Sequence, residues 1–144
     1  MDNENTTNFR QVKDWMTTAG QGVPEKFDEM DHDVRKLRRI LLQEEAQEAV
    51  QALMDIASEE DYIRAYAKVA KELADVLVVT YGAFVAMGVD GDVAFRLVMD
   101  NNAKKLTSIV FREDGKVEVP AERKVALKEE IHQEMISLIK PKRQ

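Results

Sequence analysis

Two runs of carboxylates set the chemistry open to this chain. Glu44, Glu45 and Glu48 lie in Leu41-Leu-Gln-Glu-Glu-Ala-Gln-Glu48, and Glu72 and Asp75 in Lys71-Glu-Leu-Ala-Asp75. At about 100° per residue, Glu44 and Glu48 fall on the stripe of Leu37 and Leu41, with Glu45 on its flank. Glu72 and Asp75 share a stripe with Val76, Val79 and Ala83. Acids normally take the face opposite the apolar one. Either run alone is more often a solvated helix face than a site. Their pairing changes the balance: in an antiparallel hairpin turning near residue 58, Glu44 to Glu48 lie 10 to 14 residues before the turn. Glu72 and Asp75 lie 14 to 17 residues after it. The runs then meet at one level, where unpaired burial costs several kcal/mol per carboxylate, as a rough figure. Basic neighbours (Arg38, Arg39, Lys68, Lys71) are one remedy and divalent cations a better one. An all-oxygen ligand set favours a hard ion, Mg²⁺ or Mn²⁺ in its place, which completes its shell with water and phosphate.

The elements that must position these acids are helical. The chain has 144 residues, enough for one domain with a real core, and 44% of them are hydrophobic with only 3 prolines and 6 glycines. A net charge of −6 argues against non-specific nucleic-acid binding, which needs a basic face. No cysteine is present, so disulfides, thiolate metal sites and cysteine nucleophiles are excluded. The first 20 residues lack a secretory pattern, and the apolar run Val76–Val89 is too short to span a bilayer. A cytoplasmic protein without a membrane partner is expected.

Residues 1–7 are polar and expected to fray. A short helix follows, capped by Thr7 or Asn8 and ending near Ala19-Gly20. After a loop through Gln21 and Pro24, helices are predicted from about Asp33 to Ile56 and from Glu60 to Met87, the latter with an apolar second half that should be the most buried element. A fourth helix runs from Val93 to Leu106, with Phe95, Val98, Met99, Asn102 and Leu106 on one face. The period then changes over residues 107–120, where an Asp-Gly turn marks a hairpin. A last helix covers Ala121–Ile139, before a basic tail. The expected fold is all-α: a four-helix-type bundle in one domain, with a small β-hairpin before a C-terminal helix.

Glu44-Glu45-x-x-Glu48, a 23-residue gap, Glu72-x-x-Asp75, Asn102-x-x-Lys105 and the Arg112-Glu-Asp-Gly-Lys116 hairpin resemble the all-α nucleoside triphosphate pyrophosphohydrolases. This is the MazG-like superfamily, related to dimeric dUTPases, and the likeness is to its phosphoribosyl-ATP-pyrophosphohydrolase-like branch over about residues 20–118. The resemblance implies hydrolysis of a (deoxy)nucleoside triphosphate to monophosphate and pyrophosphate in nucleotide-pool clearance, with dUTP or dCTP the first candidates. It implies Glu45, Glu48, Glu72 and Asp75 as Mg²⁺ ligands. Glu44 and Glu45 become the catalytic acids, with Glu44 holding a further ion or orienting the attacking water. Asn102 and Lys105 would contact the nucleotide and its phosphates, and Gln21 would help shape the base pocket. For Asn102 the plainer reading is a buried amide satisfied by backbone, for Lys105 a solvated helix-end lysine, for Gln21 an ordinary loop residue.

Two other classes fit part of the pattern. A di-iron carboxylate bundle would draw on Glu29-x-x-His32 and Glu129-x-x-His132, although the order along the chain differs from the usual one. A non-enzymatic helical dimerisation module would need only the apolar faces. Assembly into a homodimer, or a tetramer as a dimer of dimers, is expected in either event, because the second helix is apolar on two sides.

Overall fold

The computed structural model describes residues 6–140. Of the seven residues expected to fray, the first five lie outside that range, as does the basic tail beyond Lys140, while Thr7 is the N-cap of the first helix. The chain is all-α. Its helices are α1 (Asn8–Thr18), α2 (His32–Asp55), α3 (Tyr62–Met87), α4 (Gly91–Lys105) and α5 (Ala121–Ile139). One antiparallel hairpin, β1 (Val110–Phe111) with β2 (Val117–Glu118), precedes α5. No single helix among the described residues is long and apolar enough to cross a membrane.

Helix boundaries follow from capping chemistry. Side-chain oxygens of Thr7, Asp31, Asp61 and Asp90 accept bonds from Arg10, Val34, Arg64 and Val93 backbone N–H groups, satisfying donors that a helix start leaves free. Gly88 ends α3 in the left-handed region at φ 67°, where a side chain would be strained. A Cβ there would also collide with the Lys26 carbonyl. The Asp28 N–H donates to the Met87 carbonyl at 3.1 Å, tying the loop after α1 to the end of α3.

The chain forms two compact units, one ending at Gly88 and the other starting at Val89. In the first, α3 packs against both α1 and α2. Glu45 approaches Asp75 while Arg38 approaches Gly82, so α2 and α3 run antiparallel. Small residues make the close contact possible: Ala49 and Ala52 of α2 are buried, as are Ala65 and Val69 of α3. The remaining apolar stripe of α2 is open, with Val50 and Leu53 both exposed. The second half of α3 is not buried all round: Gly82, Val85 and Ala86 are enclosed, whereas Leu77 and Val78 face outward. Two neighbouring helices cover only part of its circumference.

In the second unit, α4 packs on α5 around Ala94 and Leu127, both buried. The packed face of α4 is one residue out of phase with the predicted one. Phe95, Val98, Met99, Asn102 and Leu106 are exposed, and Asn101 is inside. The cause is a hydrogen bond: Asn101 Nδ2 donates to the Leu127 carbonyl at 2.9 Å, which lets a polar side chain occupy a core position. A hydrophobic period cannot register that. The Arg112 N–H donates to the Lys116 carbonyl at 2.8 Å across the hairpin turn, where Gly115 has φ 79°.

Candidate metal and nucleotide site

Antiparallel packing of α2 on α3 brings Glu45, Glu72 and Asp75 together, with one carboxylate oxygen from each lying within 4.8 Å of the others. Glu72 sits at the base of the cluster, only 8% exposed, and its Oε2 is buried without a hydrogen-bond partner. Glu45 and Asp75 are half-buried around it. Partial burial, and then the charges of Glu48, Asp75 and Glu72, push the Glu45 carboxyl above its ordinary value. A buried carboxylate oxygen without a donor, facing two further carboxylates, fits a divalent cation better than it fits a closed structural network.

One cation already borders the acids. Lys71 Nζ lies 2.7 Å from Asp75 Oδ2 and 3.6 Å from Glu72 Oε2. Its hydrogen bond to Asp75, and the charges of Asp75 and Glu72, raise its pKa. Yet Lys71 is mostly exposed, so its charge reaches the buried Glu72 Oε2 from the rim, as an ion pair at 3.6 Å that leaves that oxygen without a hydrogen bond. Arg38, Arg39 and Lys68 make no ion pair with these acids among the described residues.

Of the sequence-predicted residues, the structure therefore unites Glu45, Glu72 and Asp75. Glu48, one turn along α2, is exposed and stands outside the trio, near enough to act on Glu45 through its charge. Glu44 is exposed. Asn102 and Lys105 meet in the second unit, where Lys105 Nζ donates to Asn102 Oδ1 at 2.8 Å. Both line a cavity of about 820 Å³ whose other walls include Arg112, Lys116 and Lys124. Its volume is that of a small-molecule pocket, and its basic side chains suit a phosphorylated ligand. The buried amide of α4 is Asn101, so Asn102 is free of the packing role considered for it. Gln21 is engaged: its Oε1 accepts from Arg38 Nη2 at 2.9 Å.

Neither histidine joins the acids. His32 is exposed and contacts Asp33 at the start of α2, and His132 is exposed on α5. The candidate ligand group among the described residues is carboxylate only, which lacks the imidazoles that a di-iron bundle draws from its Glu-x-x-His pairs. Sequence placed Lys71 and Arg38 together among four cations near the acids; the structure separates them, pairing Lys71 with Asp75 and Glu72 and Arg38 with Gln21. Spacing carried a signal for each, since Lys71 is four residues before Asp75 and Arg38 seven before Glu45.

A family model described as phosphoribosyl-ATP pyrophosphohydrolase matches residues 9–102, more than half of the chain, including all five predicted acids. No curated protein matches this chain.

Proposed function

Since this chain belongs to the phosphoribosyl-ATP pyrophosphohydrolase family, and is by that membership a nucleotide pyrophosphohydrolase, we propose that it cleaves a (deoxy)nucleoside triphosphate in a Mg²⁺-dependent reaction. The products are the monophosphate and pyrophosphate, and the role is clearance of the cytoplasmic nucleotide pool. The observation that carries the metal dependence is the buried Oε2 of Glu72, facing Glu45 and Asp75, which accepts no hydrogen bond and among the described residues meets only the Lys71 cation, at 3.6 Å.

In this reading Glu45, Glu72 and Asp75 would hold Mg²⁺, and Glu48, whose charge acts on Glu45, would be a further ligand as the resemblance implies. The ion supplies neutralisation of phosphate oxygens and a lowered pKa for the attacking water. Glu44, exposed beside the cluster, orients that water or holds a further ion. Lys71, paired with Asp75 and mostly exposed at the rim, would be placed to meet a phosphate oxygen there. Asn102 and Lys105 supply a neutral and a charged donor for the nucleotide and its phosphates. No covalent intermediate is required. The deoxynucleotides dUTP and dCTP are the first substrates to try.

The open stripe of α2, with Val50 56% and Leu53 50% exposed, supports a homo-oligomer, a dimer or a dimer of dimers, that covers it. The test of the function is a panel of NTPs and dNTPs with and without Mg²⁺, scoring monophosphate and pyrophosphate together. Turnover of at least one triphosphate, abolished by a chelator, is expected. Silence across the panel, or release of single phosphates instead of pyrophosphate, would refute it.

A further inference from the structure

Arg38 carries a charge that the described structure leaves without a counter-charge. It lies seven residues before Glu45 on α2, hence on nearly the same stripe and about 10 Å along the axis. Its Nη2 bonds to Gln21 Oε1, a neutral acceptor, and no carboxylate among the described residues pairs with it. Its Nε is buried with no partner at all, and burial lowers the guanidinium pKa. The facing wall is Gly82 of α3, where a Cβ would stand only 2.9 Å from Nη1. Glycine in mid-helix is unfavourable for the helix itself, and here its missing side chain makes room for the guanidinium.

Burying a charge is costly unless something pairs it. Among the described residues, Glu72 Oε2 lacks a hydrogen bond and meets only the exposed Lys71 cation, at 3.6 Å; Arg38 meets no carboxylate, and its missing partner is an oxygen acceptor. The two needs sit at opposite ends of one helical face, a spacing comparable with the length of a nucleotide. We propose that Arg38 is a substrate-binding residue. Its guanidinium, steadied by Gln21 and admitted by Gly82, takes an oxygen of the nucleotide remote from the metal-bound phosphates, either a base carbonyl or a phosphate oxygen. This rests on the function proposed above. The competing role is purely structural, with Arg38 clamping the loop that carries Gln21.

The test is calorimetric binding, with Mg²⁺, of non-hydrolysable dUTP and dCTP analogues and of inorganic tripolyphosphate. Wild type is compared with Arg38→Ala, Arg38→Lys, Gln21→Ala and Gly82→Ala, each checked by thermal melting. Losing a charged hydrogen bond should weaken binding by Arg38→Ala about 10- to 100-fold. Arg38→Lys should recover little of it, because an ammonium lacks the planar fork, and Gln21→Ala should lose clearly less than Arg38→Ala. A loss that differs between the two bases and spares tripolyphosphate assigns the contact to a base carbonyl. An equal loss for all three probes assigns it to phosphate. If Arg38→Ala does not fold, Gly82→Ala decides: it favours the helix while displacing Nη1, and must weaken binding too. Affinities within about twofold of wild type in the folded Arg38 variants, or in Gly82→Ala, overturn the proposal. So does a Gln21→Ala loss equal to that of Arg38→Ala, which makes the pair a clamp. Binding without turnover by wild type would sink the pyrophosphohydrolase reaction and leave Arg38 standing.

Discussion

Glu72 of α3 and Asn101 of α4 are both polar and both buried, at 8% and 4% exposure, yet they solve burial in opposite ways. Asn101 spends its amide on the Leu127 carbonyl and so joins α4 to α5. Glu72 keeps one oxygen without a donor and faces two more carboxylates. A satisfied neutral group stabilises packing, whereas an unsatisfied charge persists only where something outside the fold completes it. Burial of a polar residue is therefore no sign of function until its bonds are counted.

Glu72→Gln should separate the two cases most sharply. Losing even an outer partner of a metal ligand costs about 10- to 100-fold, so losing the ligand should cost at least about 100-fold in kcat/KM. The metal-free protein should meanwhile melt higher, because one of three converging carboxylates is gone and only a 3.6 Å ion pair to the exposed Lys71 is given up. Activity assays and melts on the same preparation read both, and a variant that is both active and destabilised would make Glu72 structural.

Next in size is the response to pH. The Glu45 carboxyl is raised in the folded state, so its contribution to stability is present at low pH and lost as pH rises through that folded value. Mg²⁺ removes this penalty, and at about 100 times its Kd should stabilise the protein by about 2.7 kcal/mol. That protection should shrink as pH falls through the raised Glu45 pKa, because the ligand must be deprotonated to bind. Melting curves with and without Mg²⁺ across pH 4.5–8 measure it, and a gain flat over that span would break the link to Glu45.

Asn101→Ala should cost about 1–3 kcal/mol of stability, the penalty of leaving a buried bond unmade, while kcat per folded molecule stays near wild type. Denaturant unfolding gives the first quantity and active-fraction kinetics the second. The smallest effect belongs to Lys104, which pairs with Glu130 between α4 and α5 at an exposed position. Lys104→Ala should leave the unfolding midpoint close to that of wild type, as exposed ion pairs contribute little. A larger loss than that of Asn101→Ala would reverse the ranking of buried over exposed polar contacts.

Much of the fold was legible because its signals are local. Thr7, Asp61, Gly88 and Asp90 mark helix ends by their own chemistry, and α5 spans Ala121–Ile139, the same residues that its hydrophobic period indicates. The Asp-Gly turn likewise announced the hairpin. The face of α4 was misread by one position because the bond from Asn101 to Leu127 joins residues 26 apart in sequence. The outward face of α3 at Leu77 and Val78 was missed for a related reason: hydrophobicity states what a segment prefers, and the number of available neighbours sets what it gets.

At the site, the sequence by itself determined the ligand chemistry: carboxylates, no thiols, and a spacing that sets the acids of residues 44–48 level with Glu72 and Asp75 in a helical hairpin. Residue type and helical pitch are properties of the chain and need no partner to be read. Only the tertiary structure decided which acids converge, that Glu72 is left with a buried oxygen without a donor, and that Lys71 guards the rim. It alone showed Arg38 turned away from the acids toward Gln21 and Gly82. Those outcomes depend on distances between helices and on which bonds each buried atom finds, and packing is what fixes both.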